Sequence, residues 1–271
     1  MVAPVFMFFT NDPALAAKAA EARIDRVVVD IETRGKLERQ TGYHLEMNRH
    51  RIEDLQALRG LPLERVLRVN VLHPGSGAEI DAGIACGADW LMLPMVRHPE
   101  EVRRFVDMVA GRARVIPLVE TLPGLMRLVE ISRMDGVDEV YVGLNDLRLE
   151  AGWDFGFRFL AEGILDVVAA GCAKPFGFGG LTVMDGGSPL PTRDILREMA
   201  RLGASRVILR RAFKRDVAGR DMGAAVAALR KAYAACRRRP AARVEAHRKA
   251  VWARIMEIDA ALAAKREDCD A

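Results

Sequence analysis

The sequence predicts a single parallel (β/α)8 barrel, a TIM barrel, with extra helices at its C-terminal end, and three observations carry that expectation. Eight short runs rich in Val, Ile, Leu and Phe recur along the chain, each followed by a helix-length segment. Most of these runs are apolar throughout rather than alternating, as parallel strands covered on both faces are. The 271 residues suffice for one such domain, and no spacer rich in Gly, Ser or Pro divides them. An open doubly wound sheet is the competing reading, and the count of eight together with the length favours closure. The expected division is a barrel over 1–240 and a helical extension over 241–271.

The first run, 5–10, reads as a buried strand. Asn11, Asp12 and Pro13 then start an alanine-rich helix over 14–23, with proline just inside its first turn. Strand two, 26–32, carries the acids Asp30 and Glu32. The polar stretch 33–48, with Arg34, Lys36, Arg39, Gln40 and His44, is too long for a tight turn and fits a binding loop. A helix over 51–59 precedes strand three, 65–70, which carries Arg68 and Asn70. Residues 74–77, rich in Gly, break the chain before a helix over 78–86. Strand four is 89–96 and its helix 99–110. Strand five, 114–120, ends in Glu120; Thr121 to Gly124 open a helical run; strand six, 139–146, ends in Asn145 and Asp146. A helix over 159–170 leads to a glycine-rich strand seven, 175–181, and a helix over 192–202 leads to strand eight, 206–213. Two helical stretches, 221–239 and 241–265, flank Pro240. In the last, Val244, Val251, Ile255, Ile258 and Leu262 share one face near heptad spacing. The barrel already has its eighth helix, so this face is expected on its own barrel or, as the favoured reading, against a neighbouring subunit.

Hydrophobic residues make up 51% and charged residues 29%, ordinary values for a globular chain. The net charge of +4 and a pI of about 9.0 suit small anionic substrates and are too slight an excess for a nucleic-acid partner. Cys86, Cys172, Cys236 and Cys269 are scattered, with no C-x-x-C and no Cys/His cluster. That pattern predicts a reduced, cytoplasmic protein without zinc or disulfides. The N-terminus lacks a basic region before its apolar run, and no apolar stretch reaches spanning length, so no membrane partner is expected.

Barrels of this kind carry their sites at the C-terminal ends of the strands. Those ends supply Asp30, Glu32, Arg68, Asn70, Glu120, Asn145, Asp146, Gly179, Gly180, Arg210 and Arg211. Glu120 and Asp146 stand one strand–helix–strand unit apart. As a converging pair of hard oxygen donors they suit Mg²⁺ or Mn²⁺; the spacing leaves it equally open that each acid caps the helix after it. Arg68 and Asn70 share a strand face, as do Asp30 and Glu32. An arginine on such a strand needs a carboxylate or an anionic ligand, so Glu32 has two readings, pairing with Arg68 or taking part in chemistry. Arg34, Lys36 and Arg39 either grip an anionic substrate or stand in solvent. Gly177, Gly179 and Gly180 admit close backbone approach to a ligand or ease a crowded corner. Arg210 and Arg211 are expected on opposite faces, so at most one lines the mouth. No G-x-G-x-x-G or P-loop follows a strand.

The segments 116–124 and 136–147, together with 29–32, 68–70 and 87–96, resemble the HpcH/HpaI aldolase and citrate lyase β-subunit family, in the family's order, over residues 5–215. The resemblance implies a class II, pyruvate-type aldolase of the phosphoenolpyruvate/pyruvate barrel superfamily, acting on a 2-oxo acid and an aldehyde or thioester, as a homo-oligomer, trimer or hexamer. It further implies Glu120 and Asp146 as the ligands of a divalent metal, and backbone N–H groups around Asn145 and Asp146 for the substrate carboxylate. Arg68 would meet the ketone oxygen. Cleaving a bond β to a ketone leaves a carbanion, which a metal and an arginine stabilise as the enolate. The chain departs from the family at four places: Thr33 stands where the aldolases carry histidine, Leu118 where they carry glutamine, and Thr10-Asn11 and Met95 where the acyl-CoA lyases carry basic residues. Aldehydes are therefore the expected partners, with acyl-CoA thioesters of the citrate or malyl type as the alternative. A non-catalytic barrel that keeps the metal site is a further alternative. The base is expected to be water relayed through Glu32, or His44 or His73.

Overall fold

The structure, a computed structural model, describes residues 3–34 and 50–270, with the side chains of 267–270 left aside. Its eight strands are β1 (Val5–Phe9), β2 (Arg26–Asp30), β3 (Glu64–Arg68), β4 (Trp90–Leu93), β5 (Arg114–Val119), β6 (Val140–Val142), β7 (Phe176–Leu181) and β8 (Arg206–Leu209). All neighbours pair in parallel, and β8 pairs with β1 to close the barrel. The predicted fold class holds.

Strand alternation divides the apolar side chains into two cores. Met7, Val28, Val66, Met92, Ile116, Leu118 and Tyr141 fill the barrel interior. Their neighbours Phe8, Val27, Val29, Leu67, Leu91, Val119 and Val142 face outward into the shell between sheet and helices. Both sets are buried, so the strands read as continuous apolar runs.

At the N-terminal end of the strands the interior is closed by charge. Arg26 donates to both oxygens of Glu139 at 2.6 and 3.0 Å and to Glu64 at 2.7 Å. Its guanidinium carbon lies 3.7 Å from the centre of the Trp90 ring. Arg206 Nε stands 2.6 Å from Glu139 Oε1. This is the barrel's floor.

Several strands end sooner than expected. β6 stops at Val142, and Leu144–Glu150 is a helix, so Asn145 and Asp146 occupy a first helical turn and not a strand end. Gly143 follows the strand, and a side chain there would collide with Glu120, its Cβ falling 2.6 Å from Oε2. β8 stops at Leu209, and Arg210 leads into the helix Arg211–Asp216.

The chain closes with helices Met222–Cys236 and Ala241–Asp270. Two residues of the predicted apolar face, Val251 and Ile255, are buried against the chain's own barrel. Polar anchors add to this. Asp259 accepts from the Phe155 N–H at 2.9 Å and pairs with Arg158 at 3.0 Å; Arg254 pairs with Asp194, and Trp252 donates to Glu198 at 3.3 Å. No described helix is long and apolar enough to cross a membrane.

Candidate active site

The C-terminal ends of the strands surround a cavity of about 1210 Å³, whose lining includes Glu32, Arg68, Glu120, Asn145, Asp146, Gly179 and Gly180. The topology brings all of these predicted residues together.

Glu120 follows β5 directly and is buried. Its Oε1 accepts from the Met95 N–H at 3.0 Å, and Met95 adopts a left-handed backbone with φ of 56°, uncommon for a side chain of this size. The next residues hold that loop. The Thr121 hydroxyl caps the helix Leu122–Met126, accepting from Gly124 N at 3.1 Å, and donates to the Val96 carbonyl at 2.7 Å. Gly124 is required because its Cβ would stand 2.1 Å from that same carbonyl. The Thr-Leu-Pro-Gly motif thus ties the loop after β5 to the loop after β4 and fixes Glu120 between them.

Burial pushes the Glu120 carboxyl up to about 8, with the negative charges of Asp146 and then Glu32 adding to the rise, while Arg68 and the Met95 N–H oppose it. Asp146 and Glu32 thus stand near enough to Glu120 to disfavour its charge, with Arg68 opposing them. Glu120 and Asp146 fit a divalent cation on this ground. Among the described residues no three His, Cys, Asp or Glu side chains form a metal cluster, so the protein offers a pair of acids, and Mg²⁺ commonly binds by one or two carboxylates, keeping water and substrate as its other ligands.

Arg68 ends β3 opposite Asp30 in the ladder. Nε donates to Asp30 Oδ1 at 2.8 Å and Nη2 to Oδ2 at 2.7 Å, while Glu32 Oε2 lies 3.5 Å from Nη2. Asp30, which the sequence placed at the mouth without a role, is therefore the main partner, and Glu32 is secondary. Burial pulls the guanidinium down, yet Asp30, Glu32 and Glu120 outweigh it and hold Arg68 above the ordinary arginine value. Its Cζ lies 5.3 Å from the Phe9 ring centre.

Asn70 does not line the cavity. Its Oδ1 accepts from the N–H groups of Thr33 at 2.9 Å and Arg34 at 3.1 Å, and its Nδ2 donates to Glu79 at 2.8 Å. β3 ends at Arg68, so alternation no longer ties the two side chains together, and Asn70 braces the segment after β2. His73 is similarly occupied: its Nδ1 accepts from Gly75 N at 3.0 Å and its Nε2 stands 3.5 Å from Glu79. Lys36, Arg39 and His44 lie outside the described residues.

Both Arg210 and Arg211 line the cavity, against the expectation of one, because Arg210 precedes a helix and Arg211 begins it. Tyr141 was missed by sequence reading. Its hydroxyl donates to the Gly179 carbonyl at 2.6 Å and accepts from Ile208 N at 2.9 Å, bridging the register shift between β7 and β8. The signal was its inward place in the alternation of β6.

The sequence profile of the HpcH/HpaI aldolase/citrate lyase family matches residues 5–176, short of the 215 expected from the motifs. The citrate lyase β subunit of M. tuberculosis, complexed with oxaloacetate and magnesium, is similar in fold, with a TM-score of 0.58 and 22% identity over 86% of this chain and 97% of that one. An HpcH/HpaI aldolase from Desulfitobacterium hafniense DCB-2 gives a TM-score of 0.59 and 16% identity over 80% of this chain and 91% of that one. A family protein from Burkholderia cenocepacia J2315 gives 0.59 and 17% over 87% and 95%. A pyruvate kinase of Methylorubrum extorquens AM1 is 28% identical over 140 residues, 52% of this chain and 25% of its own length, so the chain spans about a quarter of that relative.

Proposed function

The chain belongs to the HpcH/HpaI aldolase/citrate lyase family, and from that membership we propose that it is a divalent-metal-dependent carbon–carbon lyase acting on a pyruvate-like 2-oxo acid. The observation that carries this reading is the buried Glu120, set among Asp146 and Glu32 with its carboxyl raised to about 8. A buried carboxyl that faces other acids is stabilised in its charged form by a bound cation.

Glu120 and Asp146 are the two protein ligands, and Mg²⁺ is the favoured ion; a citrate lyase β subunit of this fold is complexed with magnesium. When bound, the cation supplies a Lewis acid to the ketone oxygen. Arg68, aimed by two hydrogen bonds from its guanidinium to Asp30, directs its charge at the same oxygen. That charge develops only as the carbon–carbon bond breaks, so the interaction selects the transition state. The N–H groups of Asn145 and Asp146 hold the substrate carboxylate, and Gly179 and Gly180, against which Phe157 and Arg210 pack, line the same cavity. With Thr33 in the place of a histidine, Glu32 holds the transferred proton on its carboxylate. Asn70 positions the segment that carries Glu32. Met95, where acyl-CoA lyases carry lysine, favours an aldehyde over a thioester as the second substrate.

The test is exchange of the pyruvate methyl protons in D₂O with Mg²⁺, followed by NMR. Exchange that disappears with EDTA and in Glu120→Gln is the expected result. Absence of exchange with both Mg²⁺ and Mn²⁺ would overturn the proposal.

A further inference from the structure

Positive charge collects at the corner where the helix Met222–Cys236 gives way to Ala241–Asp270. The turn between them carries Arg239, whose guanidinium donates to the Cys236 and Arg197 carbonyls, each at 2.9 Å. Arg239 Nη1 also stands 2.8 Å from Nδ1 of His247. Two groups that can each carry a positive charge are thus in direct contact. A guanidinium only donates, so Nδ1 accepts, and His247 is neutral with its proton on Nε2. Arg243 lies one helical turn before His247 on the same face. Arg197 belongs to the helix Thr192–Leu202, against which the corner packs through Arg239 and through Arg237, which donates to the Ala200 carbonyl at 2.8 Å. Arg197, Arg239, Arg243 and His247 do not line the cavity at the mouth.

Carboxylates do not answer this charge. Among the described residues none pairs with Arg239 or Arg243. Asp194, the acid that acts on His247, is buried and already holds Arg197 at 3.0 Å and Arg254. Glu245 holds Arg248 at 2.7 Å. The first turn of Ala241–Asp270 has no acid, so the positive end of that helix adds to the excess. Partial burial, and then the charges of Arg197, Arg239 and Arg243, hold the His247 imidazole below its ordinary value, with Asp194 opposing them. A negative charge placed among these groups reverses that pressure.

We propose that Arg197, Arg239, Arg243 and His247 form a binding site for the phosphate group of a small molecule, apart from the catalytic mouth. A phosphate group brings about −1.5 to −2 charges and three strong acceptor oxygens, enough to meet several guanidinium groups at once. A carboxylate brings one charge and two oxygens. The guanidinium fork matches phosphate geometry, and the Nε2 proton of His247 adds a donor. The site goes beyond the lyase reading and does not depend on it.

The experiment follows the His247 imidazole by NMR as pH is varied, with His247→Gln assigning the resonance. Inorganic phosphate is compared with sodium chloride at matched ionic strength, because screening alone also relieves repulsion between exposed charges. In the wild type, phosphate is expected to raise the His247 midpoint about one unit beyond the chloride value, which corresponds to phosphate binding about tenfold tighter when His247 is protonated. Arg243 is exposed, so Arg243→Gln is expected to fold normally, and it raises the phosphate concentration needed for half the shift about threefold. Arg239→Gln raises it about tenfold or more. Equal midpoints in phosphate and chloride, or an unchanged phosphate response in Arg243→Gln and Arg239→Gln, overturn the site. Repeating the titration with AMP separates the two sources of the group. A response at lower concentration than with inorganic phosphate assigns the site to a nucleotide, and a weaker one assigns it to the free ion. No turnover enters these readouts, so failure of pyruvate exchange in D₂O strikes the lyase reading alone.

Discussion

The two ends of the barrel interior use the same side chains to opposite effect. At the floor, Glu139 is enclosed by Arg26 and Arg206, and Glu64 receives Arg26 as well. Each buried acid there meets a guanidinium. At the mouth, Asp30, Glu32 and Glu120 act on Arg68, whose guanidinium donates two hydrogen bonds to Asp30. The neighbours of Glu139 at the floor are guanidinium groups that favour its charge, whereas Asp146 and Glu32 at the mouth disfavour the charge of Glu120 despite Arg68. A buried acid whose neighbours favour its charge serves the fold, whereas one whose neighbours disfavour it marks a functional site.

The largest effect that would break this contrast is at Glu120. Glu120→Gln is expected to lower pyruvate exchange by about a thousandfold or more while leaving the melting temperature unchanged or higher, since it removes a carboxyl whose ionisation the fold disfavours. A loss of stability instead would mean that Glu120 is a structural acid like those of the floor. The reverse pattern is expected from Glu139→Gln. It strands Arg26 and Arg206 without a buried counter-charge and costs roughly 3–5 kcal/mol in denaturant unfolding, with turnover per folded molecule retained. A smaller effect is expected from Arg68→Lys, which loses the forked contact with Asp30 and lowers kcat on the order of a hundredfold, with little change in Mg²⁺ affinity.

The smallest effect is a pH dependence that sharpens the comparison. The Glu120 carboxyl is raised from 4.5 to about 8 in the cation-free fold. The unfolded chain therefore releases its proton first, and stability of the cation-free protein falls as pH rises from about 4.5 to about 8. Saturating Mg²⁺ binds the ionised form and flattens that decline, as does Glu120→Gln. Melting temperatures across this range, with EDTA and with Mg²⁺, measure it. A decline that persists in Glu120→Gln would assign the titration to another group.

Most of the site was legible because it rests on local pattern. Glu120 follows an apolar run and precedes Thr121 and Gly124, which end one element and begin the next; Arg68 sits in β3 at a position that alternation sends inward. What escaped was which side chain meets which. Asp30 and Glu32 are equivalent on sequence, and only the register of β2 against β3, Asp30 opposite Arg68, gives the closer place to Asp30. Asn70 was placed on one strand face with Arg68 because strand periodicity was extended past the end of β3. Asp146 was placed on a strand that ends at Val142.

The sequence by itself determined eight strands in order, the helices between them, and the acids and arginine that gather at one end, because hydrophobic periodicity and chain breakers act over a few residues. Tertiary structure decided the rest. Arg26 and Glu139 are 113 residues apart and meet only when the barrel closes. The last helix is held on its own barrel by Asp259, 101 residues from the Arg158 it pairs with. The charge state of Glu120 follows from burial and from neighbours on other segments of the chain. Pairings of that kind depend on where closure brings distant segments, and no local pattern carries that information.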